Sequence, residues 1–554
     1  MKTWLQICLL CAVLALAAAP AVAQPAIGGI LNNYSFTLPG LPNYGIAQGS
    51  IFALFGTGMS GSSTGLQGFP LQTTLVGATL NVTVGGVTTH PPLYYVTPTQ
   101  IAGILPSSTP VGTGTITVTY NNQTSPTFPI QVVASGFGML SLNNAGSGPS
   151  AVQNANVNYQ LLSATNAANA GDYLALWGSG LGPVSGDETV YPQPQTNMTS
   201  LPIQVEIGGV SATVSYRGRS QFPGLDEIVV QVPAGLSGCQ VSVAVISGSA
   251  SVVSNYGTIP VAASGRTCSD PATSILTASQ LQTLANKSTV SYGFIGMGKS
   301  TVTTQSITVS GITIPGSTTV TDSASASFVR YTSAQFQSLS QSTASVGSCT
   351  LYTYTLANAG SLPNALPSYL NAGSAIGLSG PQGNQTLTFQ NGFYSNPTPP
   401  TTFIPTSGGV FSFNNGSGGP DVGAFTTSLT LATPLTWSNM SGIASVTRSN
   451  GVTVNWTGGN SNTYVEISGS AFSGSSSTAV GGAFYCTAPV SAGTFTVPAS
   501  VLLSLPPTGT VSGIPIPGTL SVSNYSNPQS FTASGLDFAF AQFFNGNTIQ
   551  LAYQ

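Results

Sequence analysis

Gln48-Gly49-Ser50-Ile51-Phe52-Ala53-Leu54-Phe55-Gly56-Thr57-Gly58-Met59 returns downstream as Ala170-Gly171-Asp172-Tyr173-Leu174-Ala175-Leu176-Trp177-Gly178-Ser179-Gly180-Leu181, at an offset of 122 residues (171 minus 49). Asn81 to Val87 is answered by Gln204 to Val210 at an offset of 123 (204 minus 81). Gln100 to Pro106 is answered by Glu227 to Pro233, and Ile130 to Ser135 by Ile259 to Ser264. Four blocks that keep one order define an internal repeat, so the chain carries the same structural unit twice.

Within each copy, short apolar or alternating runs are separated by Gly, Pro, Asn and Ser, the pattern of sandwich strands and their turns. Ile116, Val118 and Tyr120 alternate with Thr, and Val241, Val243 and Val245 alternate with Ser242 and Ala244. Each such strand is expected to turn one face to a core and the other to water. The Gly-x-Gly that closes the first block is read as a turn, because no helical pattern follows it to make a phosphate cradle.

Charged residues are 3% of the 554-residue chain, against about 25% in ordinary soluble proteins. Its surface must therefore be built from neutral polar side chains and its 66 glycines, which favour strands and turns over helix surfaces. The fold class expected is all-β: tandem immunoglobulin-like β-sandwiches followed by a larger β-rich C-terminal module with minor helices. Beyond Pro271 the alternation continues, as in Val452, Val454 and Trp456. Leu276 to Lys287 and Thr332 to Gln341 read as short helices.

Met1 to Ala23 carries Lys2, an apolar run from Ile7 to Leu16, and Ala21-Val22-Ala23 before Gln24, the layout of a secretory signal peptide. Its removal takes away Cys8 and Cys11 and leaves seven cations against eleven carboxylates, a formal charge of −4 (7 minus 11). Scattered cations give no basic face for nucleic acid or anionic lipid. No later stretch is apolar for the roughly 18 residues that a membrane helix needs. The expected domains are 1–23 signal peptide, 24–135 first sandwich, 136–270 second sandwich and 271–554 C-terminal module. A division of the last is conceivable at the proline-rich 396–402.

Cys239, Cys268, Cys349 and Cys486 remain after cleavage, an even number in an exported chain, which points to two disulfides among three connectivities. Cys239 and Cys268 flank the expected strands Val241 to Val245 and Thr258 to Val261, so a hairpin near Ser254 would bring them together. Cys349 then pairs with Cys486, which would hold the C-terminal module in one unit. No C-x₂₋₄-C spacing is present, so no zinc site is expected.

The early strand ending in Gly-x-Gly, the Gly-Gly hairpins after Val84 and Ile207, and the late alternating strands resemble the TIG-type family, immunoglobulin-like domains of plexins, certain transcription factors and bacterial surface proteins. The resemblance covers about residues 45–135 and 168–264. Gly136-Phe137-Gly138-Met139-Leu140, Ala151-Val152-Gln153-Asn154 and Gly265-Arg266-Thr267-Cys268-Ser269-Asp270 resemble a set of paralogous secreted proteins of Solibacter-type Acidobacteria, which implies an extracytoplasmic role.

His90, the single histidine, lies in a loop with no counterpart in the second copy, and reads as a surface residue. Asp187-Glu188 and Asp226-Glu227 are adjacent carboxylates, which on a strand point to opposite faces, and they read as solvated turns rather than a hydrolytic pair. Asp421 reads as a turn residue, and no calcium-loop pattern occurs. Trp177, aligned with Phe55, and Trp456, in phase with Val454, read as core. Trp437 is the least constrained: core burial is its leading reading, and it is the one candidate ligand contact. Sequons at Asn33, Asn81, Asn122 and Asn455 follow from composition.

No catalytic residue, cofactor or metal is expected. The function expected is that of an exported, non-enzymatic protein of periplasm, cell surface or extracellular space, serving adhesion, surface architecture or matrix contact. Its partner would be a polysaccharide or another surface protein. A carbohydrate-binding protein is the alternative, with a secreted hydrolase behind it.

Overall fold

Ile51–Thr57 is the central strand of its sheet, hydrogen-bonded to Ala26–Asn32 on one side and to Gln100–Ile104 on the other. Its repeat partner Tyr173–Ser179 lies in the same way between Val152–Asn154 and Asp226–Gln231. Facing it in the first module, Gly112–Tyr120 joins Ala78–Val84 to Phe128–Val133, and in the second Gly238–Ser247 joins Ile203–Ile207 to Gly257–Val261. The repeat is thus one sandwich topology used twice. The computed structural model describes residues 24–554 except 249–250, 310–311, 339–343, 356–366, 397–402, 406–407, 432, 475–478 and 512–513. The expected leader at 1–23 and the prolines within 396–402 lie outside the described residues.

One difference between the two copies has a clear cause in the sequence. In the first, Val87–Thr89 and Leu93–Val96 are separate strands in opposite sheets, parted by His90-Pro91-Pro92. In the second, Val210–Arg219 runs unbroken from one sheet into the other through a register shift between Val214 and Tyr216. Proline cannot donate to a ladder, so the pair of prolines cuts a strand that the second copy keeps whole. Cores form where the apolar parity predicts: Phe52, Leu54, Val82, Ile116 and Val118 in the first module, and Leu174, Leu176, Val205, Val241, Val243 and Val245 in the second.

The outer face of Gly238–Ser247 departs from the expectation of a wet surface. Ser242 and Ala244 are buried, and Ala244, Val253 and Tyr256 belong to a core shared with the C-terminal module. Alternation shows only that two faces differ, and a neutral Ser/Ala face is as fit for a second module as for water.

The C-terminal module is organised by Phe538–Tyr553, a 16-residue strand. One edge pairs in parallel with Thr289–Thr303, and the other pairs antiparallel with Gly518–Tyr525. Its odd-numbered residues all face one way. Ala539, Ala541 and Phe543 enter a core with Ile295, Phe328, Tyr394, Phe411 and Phe425, whereas Ile549, Leu551 and Tyr553 enter a core with Trp437, Trp456, Ile467 and Phe484. Tyr394 and Phe403 share the first of these cores, on either side of 397–402. Helices are short: Ala278–Ala285, opened by a Thr277/Gln280 capping box, Ser333–Ser338 and Ala499–Leu503.

Opposed hydroxyls recur on the strand surfaces. Thr83 faces Thr88 at 2.8 Å, Thr119 faces Thr124 at 2.9 Å, Thr453 faces Thr496 at 2.8 Å, Ser470 faces Thr519 at 2.9 Å and Ser521 faces Thr548 at 2.8 Å, each across a register pair. These pairs occupy the cross-strand positions where oppositely charged side chains commonly sit.

Disulfides join Cys239 to Cys268 and Cys349 to Cys486. The first closes the Gly238–Ser247/Gly257–Val261 hairpin onto the segment leading out of the second sandwich. Cys349 and Cys486 are directly opposed in register, fastening the edge strand Cys349–Thr355 to Val480–Pro489. With sequence separations of 137 for Cys349–Cys486 and 29 for Cys239–Cys268, chain-entropy reasoning assigns them about 5 and about 4 kcal/mol. Cys349→Ser/Cys486→Ser should therefore lower the midpoint of thermal unfolding more than Cys239→Ser/Cys268→Ser does, as calorimetry of the paired variants would show.

Candidate functional site

The seam between the first two modules gathers a cluster of buried polar groups. Asp226 opens its strand at the end of the second sandwich, fully buried, and its Oδ1 lies 2.9 Å from Arg219 Nη1, which is 2% exposed. Its Oδ2 accepts hydrogen bonds from the amides of Gly180 at 2.7 Å and Leu181 at 2.8 Å, in the Gly-x-Gly turn of the repeat. Arg219 Nη2 donates to Gly182 O at 3.3 Å. Burial pushes the Asp226 carboxyl up, while Arg219 and the two amides pull it back.

The first module docks on this cluster. A Cβ placed on Gly49 would stand 2.8 Å from Arg219 Nη2 and 3.0 Å from Gly182 O, and its φ of +70° already favours glycine. Its repeat counterpart Gly171 faces open space, so the packing belongs to the seam and not to the motif. Ser179 Oγ donates to Gly224 O at 2.6 Å and accepts from Ile51 N at 2.8 Å, and Gly224 rests against Ile51 and Ile104. Glu188 Oε1 accepts from Ser107 N at 2.8 Å, with burial pushing the Glu188 carboxyl up. Tyr94 OH donates to Pro223 O at 2.5 Å.

On the outside of the seam three rings lie in a row. Phe69 of the first module packs on Tyr191 of the second, with centroids 5.3 Å apart and planes 29° apart, and Tyr191 packs on Phe222 at 4.9 Å and 32°. Tyr191 is 45% exposed and Phe222 46%. Backbone hydrogen bonds hold the three loops together: Leu71 N to Thr189 O at 2.8 Å and Gln193 N to Gln221 O at 2.7 Å. Each ring directly precedes a proline, Pro70, Pro192 and Pro223. That triplet of aromatic-proline dipeptides was the sequence signal for this site.

Several expected placements are corrected. Asp226 and Glu227 are not solvated turn residues but buried strand residues, because the pair is held at a junction, and Glu188 is half-buried for the same reason. Asp187 stays exposed, its carboxylate accepting from Thr189 Oγ1 at 2.6 Å and Thr189 N at 2.9 Å, bonds that draw its pKa down. Trp437 is 5% exposed, opposes Trp456 in register and donates from Nε1 to Asn439 Oδ1 at 2.9 Å, so its ring fills a core and offers no ligand face. Trp177 and Phe55 are half-buried on an outer face, and Leu176 and Leu54 take the core positions. Trp456 is buried in core, with Nε1 donating to Val490 O at 2.8 Å.

His90 is exposed, with Nδ1 2.7 Å from Asn81 Oδ1. Asp421 is exposed and accepts from Asn371 N at 2.8 Å through Oδ2. These two residues belong to separate modules and do not converge. Among the described residues no group of three or more His, Cys, Asp and Glu could hold a metal ion, and no helix is long and apolar enough to cross a membrane.

A second unusual carboxyl lies on the outer face of the large C-terminal sheet. Glu466 shares that face with Tyr464, Tyr485 and Tyr525, and Tyr464 stacks on Tyr525 at 5.3 Å. Burial pushes its carboxyl up to about 7, although the Tyr525 hydroxyl donates to Oε1 at 3.4 Å.

No family model matches the chain, and no curated protein matches it. Among solved structures, a gamma-CGTase from alkalophilic Bacillus clarkii is similar at 11% identity over 52% of this chain and 34% of that one, with a TM-score of 0.16. Domains 5–6 of the S-layer protein SbsC are similar at 14% identity over 44% of this chain and 100% of that one, with a TM-score of 0.16. A titin Ig tandem follows at 8% identity over 40% of this chain and 91% of that one, with a TM-score of 0.12. Likenesses of this size carry no argument about activity. The strand pairing itself makes the fold all-β, with tandem immunoglobulin-like sandwiches in front.

Substitutions at both carboxyls test these placements. Asp226→Ala leaves the Arg219 cation and two amides unpaired in the interior and should cost about 3–5 kcal/mol, whereas Arg219→Met combined with Asp226→Leu should cost less than the two single changes summed. Chemical denaturation of the wild type, Asp226→Ala, Arg219→Met, Asp226→Leu and the double variant gives the comparison. Glu466 keeps its proton in the fold up to about pH 7 and releases it near pH 4.5 when unfolded, so wild-type stability falls as pH rises between these values. Glu466→Gln should therefore gain about 2–3 kcal/mol over wild type at pH 8 and little at pH 4.5, measured as the difference in unfolding midpoint.

Proposed function

We propose that this is an exported, non-enzymatic contact protein that serves adhesion, surface architecture or attachment to a matrix, with a polysaccharide or another surface protein as partner. The observation that carries the reading is the seam: Ile51 N to Ser179 Oγ and Ser107 N to Glu188 Oε1 join the two sandwiches, while Tyr191 and Phe222 are left partly in solvent beside that joint. Rings with nearly half their surface in water cost free energy in a protein with nothing to bind, and exposed apolar surface beside a rigid scaffold is where recognition concentrates. The disulfides fit an oxidising compartment, and we read the leader at 1–23 as its export signal. We further read the two sandwiches as TIG-type and the chain as akin to the secreted Solibacter-type paralogues, on the residues quoted above.

Fractionation of the native host tests the assignment. The protein should be recovered outside the inner membrane with Gln24 at its amino terminus and both disulfides formed. Recovery from the cytosol with residues 1–23 in place and four free thiols would sink it.

A further inference from the structure

We propose that the row Phe69–Tyr191–Phe222 is the contact site for a neutral, unbranched polysaccharide, which deepens the matrix-contact reading and rests on it. With centroids 5.3 and 4.9 Å apart and planes tilted by 29° and 32°, Tyr191 and Phe222 still keep 45% and 46% of their surface in solvent, while half-buried Phe69 anchors the row. Such a staircase of ring faces suits the C–H faces of successive pyranose units.

The row is rigid before anything binds. Proline after each ring restricts the residue that carries it. Gln193 is buried between the loops and donates from Nε2 to Asp187 O and Val190 O at 2.8 Å each, and Phe222 N donates to Ser220 Oγ at 3.1 Å. Rings already held in place lose little freedom on binding.

Charge selects the ligand class. Arg219, the cation nearest in the chain to Phe222, is buried against Asp226, and exposed Asp187 lies on the neighbouring loop. A polyanion would meet repulsion from Asp187, and the cation nearest in the chain is held in its buried ion pair. Gln72 and Gln221, both exposed and each within three residues of a ring, are the neutral amides that hydroxyls can bond. A folded protein is a poor fit, because three rings offer far less than the roughly 800 Å² per partner of a stable interface.

The test uses the full mature chain and its Tyr191→Ala, Phe222→Ala and Tyr191→Leu/Phe222→Leu variants. Each is run through native gels containing soluble cellulose derivative, xylan, mixed-linkage glucan or, as the polyanion, polygalacturonate. Retardation of the wild type by at least one neutral polysaccharide and not by polygalacturonate is expected, with binding about tenfold weaker in every variant at an unchanged melting temperature. The leucine pair keeps apolar bulk and removes the ring faces, so it separates stacking from packing should an alanine variant melt early. Neutral-glycan binding that the leucine pair leaves intact overturns the site but not the contact function. No retardation by any neutral glycan overturns the ligand class. A wild-type dimer, seen by light scattering, that the leucine pair abolishes would assign the row to a second copy of the chain instead.

Discussion

Asp226 holds the front half of the molecule in shape. Its two oxygens bind, on one side, the guanidinium that reaches toward Gly49 of the first sandwich and, on the other, the turn that ends the central strand of the second. In a chain with so few charges, an ion pair spent in the interior is conspicuous. It braces the second sandwich's side of the seam, where the turn after Ser179 and the loop that carries Gly224 meet Ile51 and Ile104. The exposed aromatic row depends on that alignment, since Phe69 comes from one module and its two neighbours from the other.

Elsewhere hydroxyls do the work that ion pairs do in ordinary proteins. Pairs such as Thr453–Thr496 and Ser521–Thr548 satisfy donor and acceptor across a strand boundary without formal charge, so salt does not screen them. A neutral surface of this kind also allows one module to lie against another with little desolvation penalty. The face of Gly238–Ser247 that carries Ser242 and Ala244 shows this: it is polar enough for water and apolar enough to join a core with Tyr256.

Much of the fold was legible in the residues, and the limits of that legibility follow one rule. The repeat, its strand order, the two short helices and the pairing of Cys239 with Cys268 rest on local periodicity or on neighbours in the chain, and these the sequence carries. Asp226 and Glu188 were misplaced, and Trp437 was left open between core and ligand contact, because what surrounds them comes from distant segments: Ser107 sits 81 residues from Glu188, and Trp437 is covered by a sheet whose last strand begins about a hundred residues later. Trp177 failed differently, since alignment with Phe55 identified an equivalent position correctly but not which face it occupies. The aromatic row left a trace, ring-proline three times over, that no periodicity argument looks for.

The parallel partnership of Thr289–Thr303 with Phe538–Tyr553 has a kinetic side. Tyr292 must find Phe538 across an intervening stretch of 246 residues (538 minus 292), and both cores of the module stay open until it does. Closing so large a loop is entropically slow, and it leaves long strand edges unpaired in the meantime. The Cys349–Cys486 crosslink lies wholly inside that interval, so oxidation ahead of closure shortens the effective search and makes the arrival of an oxidant part of how fast this half of the molecule matures.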